Sequence, residues 1–325
     1  MTRPRILTWH VHGSYLYYLA HCDADIYVPV RPGRPEGYGG RPEGGFPWPD
    51  QLHEIEAEDV RSTQSDAVLY QSRRNWLRDR YELLSPEQQR LPAICLEHDP
   101  PREDPVSTRH FVDDPRVLLV HVTPFNNLMW DPGATPTKVI DHGVVDPGYL
   151  YTGEIPRGVA VVNNIAGRGR RLGADILERV RAEIPIDLVG MGSEAVGGLG
   201  EIPHAELPAF LGRYRFFFNP IRYTSMGLAV CEAMMLGMPI VGLATTEMVT
   251  AITNGEAGYL DTDVDALLPR MRGLLDERDD AARLGRGARA AALARFNIER
   301  FCRDWEDTFR EVTAPRAAEA ARSIG

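Results

Sequence analysis

The sequence predicts an α/β protein with two domains, each a parallel sheet flanked by helices. Its 325 residues are enough for two ordinary hydrophobic cores, each in a domain of about 150 residues. Short apolar runs of strand length alternate with helix-like stretches along the chain, which is typical of parallel sheets with crossover helices. The clearest unit lies between residues 216 and 260, where a strand, a buried helix and a second strand follow one another.

Composition and charge narrow the functional classes. Apolar residues make up 43% of the chain and charged residues 25%, as in soluble globular proteins. The net charge of −10 argues against a general nucleic-acid or anionic-membrane surface. No apolar signal core or membrane-spanning run is present, although loose contact with a membrane surface stays open. The four cysteines form no CxxC pair, so we expect reduced thiols in a cytoplasmic protein: Cys22, Cys95, Cys231 and Cys302.

The chain opens with a strand, a glycine turn and a helix. The strand is predicted over Arg5–Val11 and the helix over Tyr15–Ala20, with His12, Gly13 and Ser14 between them. This order is the opening of a Rossmann-like unit, but no GxGxxG motif is present, so no dinucleotide site is predicted.

A second strand, Ile26–Val30, leads into a segment that cannot form a regular element. Of the 22 residues from Pro29 to Asp50, 12 are Pro or Gly. The segment also carries Tyr38, Phe46 and Trp48. We therefore weigh two interpretations, a loop over a cleft that contacts an acceptor substrate and a structural excursion.

Three further strands are predicted over Ala67–Tyr70, Ala93–Leu96 and Val117–Val122, with an amphipathic stretch over Arg73–Leu84 between the first two. His98 and Asp99 follow one of these strands, and His121 lies at the end of another. Because ligands of open parallel sheets bind at the carboxyl ends of the strands, His98 is a candidate site residue. The alternative is a structural histidine with satisfied hydrogen bonds.

The second half begins with a strand over Val159–Val162 and a glycine-rich loop over Asn163–Gly173, followed by a helix over Ala174–Ala182. The loop carries three arginines, Arg168, Arg170 and Arg171. Arginines ahead of a helix in an acidic protein indicate an anion site, and the alternative is a solvated basic turn. A further strand is predicted over Ile186–Val189, and amphipathic helices close the chain: Asp263–Leu275, Arg283–Phe296 and a last helix containing Phe301, Trp305 and Phe309.

The central stretch suggests a nucleotide site. From Met226 to Leu236 every residue is apolar or small except Glu232, so the helix is buried and the carboxylate needs a partner or a ligand. Gly227 precedes the helix, where backbone N–H groups and the helix dipole favour an anion. A diphosphate at the helix start and a ribose on Glu232 would together hold a nucleotide. The alternative places Glu232 on a solvated edge.

This stretch resembles the donor-binding motif of the family 4 glycosyltransferases, which have the two-domain GT-B fold. The matching segments are Ser225-Met226-Gly227-Leu228, Glu232-Ala233-Met234, Gly237, Pro239, Ile240-Val241 and the loop Asn254–Leu260. The family's first Glu, eight positions before the second and usually in contact with the donor sugar, is replaced by Thr224.

The resemblance implies roles for further residues. Gly13 would face the donor phosphates, Ile202 would lie beside the nucleobase, and Arg170 or Arg171 would take the place of the family's lysine. The donor-binding set implied is Gly13, Arg168, Ile202, Thr224, Ser225, Met226, Gly227, Leu228 and Glu232. The acceptor side would comprise His12, Gln71 and Asp99, with His98, Arg170 and Arg171 acting in catalysis. Gln71 or Ser72 stands where the family commonly has a histidine.

The resemblance also implies an organisation and an activity. Two Rossmann-like domains, residues 1–147 and 148–298, would face a central cleft, and a C-terminal helix, 299–325, would cross back to the first. The expected activity is transfer of a sugar from a nucleotide-diphosphate sugar to an acceptor, a saccharide or another hydroxyl compound, with retention of configuration. We expect no metal, no cofactor and no nucleic-acid partner. Two alternatives remain, a nucleotide-sugar 2-epimerase of the same fold and a non-catalytic nucleotide-sugar binding protein.

Overall fold

The first half of the chain forms a seven-stranded parallel sheet. The structure is a computed structural model that describes residues 3–42 and 45–314. The strands lie in the order β3-β2-β1-β4-β5-β6-β7. Their bounds are β1 (Arg5–Thr8), β2 (Asp25–Val30), β3 (Leu52–Glu56), β4 (Ala67–Tyr70), β5 (Ala93–Glu97), β6 (Val117–His121) and β7 (Thr137–Val139).

Helical segments connect these strands. The first, α1 (Gly13–Leu19), buries Tyr15, Leu16 and Leu19 against the sheet. A π-helix over Asn75–Asp79 runs directly into α2 (Arg80–Leu83). After β6, α3 (Pro124–Met129) begins with Pro124 at its first position and Thr123 capping it through a 3.1 Å hydrogen bond from the Asn126 amide.

The second half forms a five-stranded parallel sheet in the order β12-β11-β10-β8-β9. Its strands are β8 (Ile155–Val161), β9 (Ile186–Val189), β10 (Tyr214–Asn219), β11 (Ile240–Leu243) and β12 (Gly258–Asp261). The helices around it are α4 (Ile165–Arg168), α5 (Ala174–Arg181), α6 (Leu207–Leu211), α7 (Leu228–Leu236), α8 (Met248–Ala251), α9 (Val264–Asp276) and α10 (Arg278–Arg295). Parallel strands buried on both faces explain why β11 is apolar throughout and why β10, which also contains Arg215 and Asn219, is buried at every position.

The last helix, α11 (Ile298–Thr313), returns to the first sheet. Its buried stripe packs against α1, where the Trp305 indole N–H donates a 3.0 Å hydrogen bond to the Tyr15 hydroxyl. Phe301 packs edge-to-face on the same tyrosine with ring centroids 5.6 Å apart. This confirms the predicted fold, two Rossmann-like units with a C-terminal helix that crosses back. Residues 315–325 of the predicted helix lie outside the described part of the chain.

One arginine links the two units through partly buried ion pairs, since the Arg295 and Asp141 side chains are 24% and 23% exposed. The Arg295 guanidinium donates to Asp141, which follows β7, and at 2.6 Å to Glu247. Glu247 is 2% exposed and also accepts a 3.0 Å hydrogen bond from the Phe125 amide of the first unit. We call Arg295 the interdomain arginine. Its pKa is raised, because hydrogen bonds and attraction from both carboxylates outweigh the effect of burial.

Several elements differ from the sequence prediction. β3, α3 and α8 are additional, and β12 forms where a loop was expected. The glycine-rich loop after β8 contains α4 and a 3₁₀ turn over Gly169–Leu172. The predicted domain boundary at residues 147 and 148 falls in the connection between β7 and β8 and stays a prediction. No helix in the described ranges combines the length and apolar character needed to cross a membrane.

Candidate active site

The carboxylate of Glu232 lies where the two units meet. The Tyr18 hydroxyl of α1 donates a 2.8 Å hydrogen bond to Glu232 Oε1, and the His204 ring nitrogen Nε2 lies 3.6 Å from the same oxygen. The Glu232 side chain is 16% exposed, so it is neither fully buried nor on an open edge. Burial, followed by the nearby charge of Glu232, raises the pKa of Tyr18 well above its usual value. Tyr18 is therefore a hydroxyl donor across the interface.

Glu232 forms part of the wall of a cavity of about 660 Å³ between the units. The second unit contributes Ile202, Gly227 and Leu228, and the first unit contributes Ser14 and Phe46. Phe46 stacks on Tyr17 with ring centroids 5.0 Å apart and lies 4.4 Å from the His204 ring. The Pro- and Gly-rich segment after β2 thus borders the cavity that contains Glu232.

Gly227 leaves space that the protein does not fill. Its φ of −71° and ψ of 136° are accessible to any residue, and a Cβ placed there would meet no atom within 4 Å. Neither backbone strain nor packing therefore requires glycine at this position. No side chain caps the start of α7. Its first N–H groups are consequently open toward the cavity, as they are where helices bind anions.

The three arginines of the glycine-rich loop point in different directions. Arg170 is 77% exposed on its side chain and pairs with Asp175 at 2.6 Å. Arg171 is half-buried, and its Nη1 is buried without a hydrogen-bond partner among the described residues. Burial, together with repulsion from Arg102, lowers the pKa of Arg171, and attraction to Asp99 acts in the opposite sense. Arg171 thus lies within electrostatic range of Asp99 and Arg102 of the first unit, whereas Arg170 is exposed and held by Asp175.

The turn before α7 is hydrogen-bonded to the first unit. The Tyr223 hydroxyl donates to the Pro101 carbonyl at 3.0 Å, and Thr224 Oγ1 donates to Asp99 Oδ1 at 2.9 Å. Two residues later, the Met226 carbonyl accepts a 2.8 Å hydrogen bond from His142 Nε2.

Asp99 is held as a carboxylate. Burial raises its pKa, but attraction and a hydrogen bond from Arg102 and the hydrogen bond from Thr224 outweigh that effect, so the pKa is lowered. Its second oxygen pairs with Arg102. Asp99 therefore has both oxygens bound by protein donors, one of them from the second unit.

A second cavity, of about 410 Å³, lies at the carboxyl ends of β4 and β5 in the first unit. It brings together His12, Gln71, His98 and Asp99. The Gln71 amide donates to Thr8 Oγ1 and to the Trp9 carbonyl, both at 2.8 Å, so its oxygen is the group that faces His98 Nε2 at 3.2 Å.

The hydrogen bond to Gln71 fixes the tautomer of His98. Because Gln71 accepts, His98 carries its proton on Nε2 and presents the Nδ1 lone pair. Burial, with repulsion from His12 and His142, lowers the pKa of His98 well below its usual value. His98 is thus a neutral imidazole at neutral pH, and the His12 ring packs edge-to-face against it at 4.3 Å.

One comparison with known families concerns the second unit. Residues 157–277 match the family model described as Glycosyl transferases group 1. This match confirms the resemblance to glycosyltransferases drawn from the motif around Gly227 and Glu232. The assignment to family 4 stays a prediction. No curated protein matches the chain in sequence.

Solved structures show the same fold over nearly the whole chain. A sucrose-phosphate synthase from Thermosynechococcus elongatus has 16% identity and a TM-score of 0.70, covering 96% of this chain and 99% of that one. Anabaena HepE in complex with UDP and glucose has 13% identity and a TM-score of 0.71, covering 94% and 99%. A glycosyltransferase from Rickettsia africae has 12% identity and a TM-score of 0.66, covering 97% and 100%. At these identities the likeness establishes the GT-B fold.

Most of the predicted site residues lie along one cleft. Ile202, Gly227, Leu228 and Glu232 line the larger cavity, and Arg171, which lines neither cavity, is attracted electrostatically by Asp99. Arg168 is exposed and acts electrostatically on His12 and Arg171. Their roles in binding or catalysis stay predictions.

Four predicted site residues are buried, packed or paired against other protein groups. Ser225 and Met226 are buried, and Met226 contributes only its carbonyl to the contact with the first unit. Gly13 has a packing reason, since an added Cβ would lie 3.2 Å from both His10 and Phe46. Arg170 is engaged outside the cleft by Asp175.

Sequence reasoning missed three residues of the site: Tyr18, His204 and Arg102. Tyr18 lies 214 positions from Glu232, so no local pattern joins them. Phe46 was singled out in the Pro- and Gly-rich segment, and it lies on the wall of the cavity that contains Glu232; the contact of this segment with an acceptor stays a prediction. The signal that was available for His204 is its position at the start of the segment that leads into α6.

Proposed function

We propose that the chain is a retaining glycosyltransferase that moves a sugar from a nucleotide-diphosphate sugar to a hydroxyl acceptor. We propose that the reaction needs neither a metal ion nor a bound cofactor. Measuring activity in excess chelator tests the independence from metal. We also propose the cytoplasm as its compartment, which the four unpaired cysteines favour.

The observation that carries the proposal is the empty space at Gly227 beside Glu232. A glycine that neither its dihedrals nor its neighbours require leaves room for a ligand against the start of α7. The helix start favours the diphosphate, and the carboxylate one turn further along is placed for the ribose hydroxyls. Tyr18 occupies Oε1 of Glu232, which leaves Oε2 as the oxygen for a ribose hydroxyl.

The departing diphosphate is stabilised by fixed charge. The first amides of α7 border the cavity before any ligand arrives, and Arg171 would add its charge beside them, so little rearrangement is needed when charge develops on the leaving group. His12 lines the cavity that contains His98, and Ser14 lines the larger cavity. The two cavities therefore approach each other at the start of α1, where the two substrates would meet.

His98 acts in this proposal as a neutral hydrogen-bonding group. Its lowered pKa makes it a poor general acid at neutral pH, whereas Nδ1 can accept a hydrogen bond from an acceptor or donor-sugar hydroxyl. Gln71 fixes the ring and is a positioning residue. Asp99, with both oxygens occupied, links the acceptor side to Thr224 of the second unit.

Titration calorimetry with uridine, guanosine, adenosine and thymidine diphosphates tests the donor assignment. We expect one nucleotide to bind and Glu232→Ala to weaken it by roughly ten- to a hundredfold, because hydrogen bonds to a charged group contribute about 1.5–3 kcal/mol. Glu178→Ala is the control, since Glu178 is exposed on α5. Equal affinity in both variants and the unchanged protein would refute the assignment.

One observation favours a second candidate, the nucleotide-sugar 2-epimerase. His204 and Glu232 lie 3.6 Å apart in the cavity and could exchange a proton. An epimerase converts its donor without an acceptor, so product analysis with donor alone separates the two activities. A change of sugar configuration in that experiment would favour the epimerase, and sugar transfer that requires an acceptor would favour the transferase.

A further inference from the structure

The acceptor-side cavity presents more accessible positive charge than accessible negative charge. Three arginines line it, Arg73, Arg102 and Arg109. All three are exposed, with side chains 53% exposed at Arg102 and 58% at Arg109. Within residues 3–42 and 45–314 the Arg73 guanidinium has no hydrogen-bond or ion-pair partner. It is therefore available to a ligand.

The carboxylates of the same cavity are mostly committed to the protein. The Glu97 side chain is 16% exposed; Oε1 accepts from the Asp99 amide at 3.0 Å and Oε2 lies 3.3 Å from His110 Nε2. The Asp99 side chain is 17% exposed and both of its oxygens are bound. Glu103 alone of the carboxylates lining this cavity is exposed. The accessible surface of the cavity is thus basic, although the whole chain carries a net charge of −10.

We propose that the acceptor substrate carries an anionic group, a carboxylate or a phosphate, that Arg73 binds. A guanidinium presents a planar fork of donors that matches either group. Arg102 lies on the same cavity and shares its charge with Asp99. This inference rests on the proposed transferase function, because it assigns the charge of the second substrate of the same site.

The position of the anionic group on Arg73 would determine which hydroxyl of the acceptor reacts. An anionic group on Arg73 would lie on the rim beside the start of the π-helix, while the neutral His98 and the committed Gln71 lie deeper at the strand ends. The attacking hydroxyl would then belong to the part of the acceptor remote from its charged group. Arg73 is in this sense a specificity residue, which discriminates charged from neutral saccharides.

The test uses the full chain and paired sugars that differ in charge. Glucuronate, galacturonate, glucose 6-phosphate and fructose 6-phosphate are compared with glucose, galactose and fructose by titration calorimetry, with and without the nucleoside diphosphate that binds. The uronates and the sugar phosphates distinguish the two anionic groups. We expect at least one charged sugar to bind roughly tenfold or more tightly than its neutral counterpart, and less tightly as salt is added.

Arg73→Gln is expected to weaken that charged sugar by roughly ten- to a hundredfold while leaving the nucleotide and neutral sugars unchanged. Arg78→Gln is the matched control, because Arg78 lies in the same helical segment, is 69% exposed and pairs with Glu82 away from the cavity. Binding of neutral sugars in preference to every charged one, binding of no anionic sugar, or equal effects of the two variants would overturn the inference. If no nucleoside diphosphate binds the unchanged protein, the donor assignment is refuted. The inference about the acceptor is tested separately, because charged-sugar binding is also measured without nucleotide.

Discussion

The two adjacent arginines Arg170 and Arg171 give the sharpest prediction about the donor site. The resemblance to the family left either one as the diphosphate ligand, and their surroundings separate them. Arg171 has a buried guanidinium nitrogen without a described partner and is attracted electrostatically by Asp99 of the first unit. Arg170 is held by Asp175 on the outside. We predict that Arg171→Gln weakens nucleoside diphosphate binding and that Arg170→Gln does not.

The magnitude follows from burial and charge. Two unit charges about 4 Å apart attract by about 4 kcal/mol at an effective dielectric of 20, and desolvation and side-chain ordering reduce the net value. A charge-assisted hydrogen bond of about 2 kcal/mol corresponds to roughly thirtyfold in affinity. Because Arg170 is exposed and already paired, its loss should change affinity by less than about threefold.

The assay compares a nucleoside diphosphate with its nucleoside. Titration calorimetry of each variant with both ligands isolates the phosphate contribution, since the nucleoside makes no diphosphate contact. Arg171→Gln should lower the affinity for the diphosphate and leave the nucleoside unchanged. A greater loss in Arg170→Gln, or an equal loss for both ligands, would refute the placement of the diphosphate beside Arg171.

Three further predictions concern space, buried charge and pH. Gly227→Val should unfold at nearly the same urea concentration as the unchanged protein yet lose nucleotide binding in calorimetry, whereas Gly258→Ala should fail to fold, because its Cβ would lie 1.8 Å from a strand carbonyl oxygen. Glu247→Gln, which leaves the interdomain arginine with one carboxylate, should lower the free energy of unfolding in urea by about 3 kcal/mol. In the control pair broken by Asp304→Asn the carboxylate is 40% exposed, against 2% for Glu247, so its loss should cost less than about 1 kcal/mol, and equal losses would show that burial of the carboxylate is irrelevant. Burial lowers the pKa of His121 from 6.5 to about 3, so its stabilising effect is present above pH 6.5 and is lost as the pH falls. Unfolding measured at pH 7 and pH 5 should show a fall of about 2 kcal/mol from this residue, and His121→Phe should remove that part of the fall.

Most helices and strands could be predicted from the sequence because the signals that define them are local. Strands β4 and β9 have the predicted bounds, and α7 was recognised by its apolar surface and by Gly237 at its end. The exceptions have physical reasons. Strand β3, with the sequence Leu-His-Glu-Ile-Glu, is too polar and short to stand out and forms because β2 pairs with it at the edge of the sheet. α3 did carry a local signal, a threonine cap followed by proline.

Only the part of the candidate site that lies on one helix could be predicted from the sequence. Gly227 immediately precedes α7 and Glu232 lies within it, so their spacing alone indicates a phosphate and a ribose. The hydrogen bond of Thr224 to Asp99 joins residues 125 positions apart and depends on how two sheets face each other. The sequence showed the replacement of the family's first Glu by Thr224 without a reason. In the structure, its hydroxyl bonds a carboxylate of the other unit.

The turn before α7 links the two predicted substrate sites through hydrogen bonds. Tyr223, Thr224 and Met226 each make one hydrogen bond to the first unit, within five residues of the first amide of α7. The start of α7 therefore cannot move away from Asp99 without breaking these bonds. At about 1 kcal/mol each, the three together contribute about 3 kcal/mol, which is within the range that substrate binding can supply. We propose that the cleft opens to admit a nucleotide and closes on it, and that closure would bring the diphosphate near Arg171 and the reacting sugar near His98.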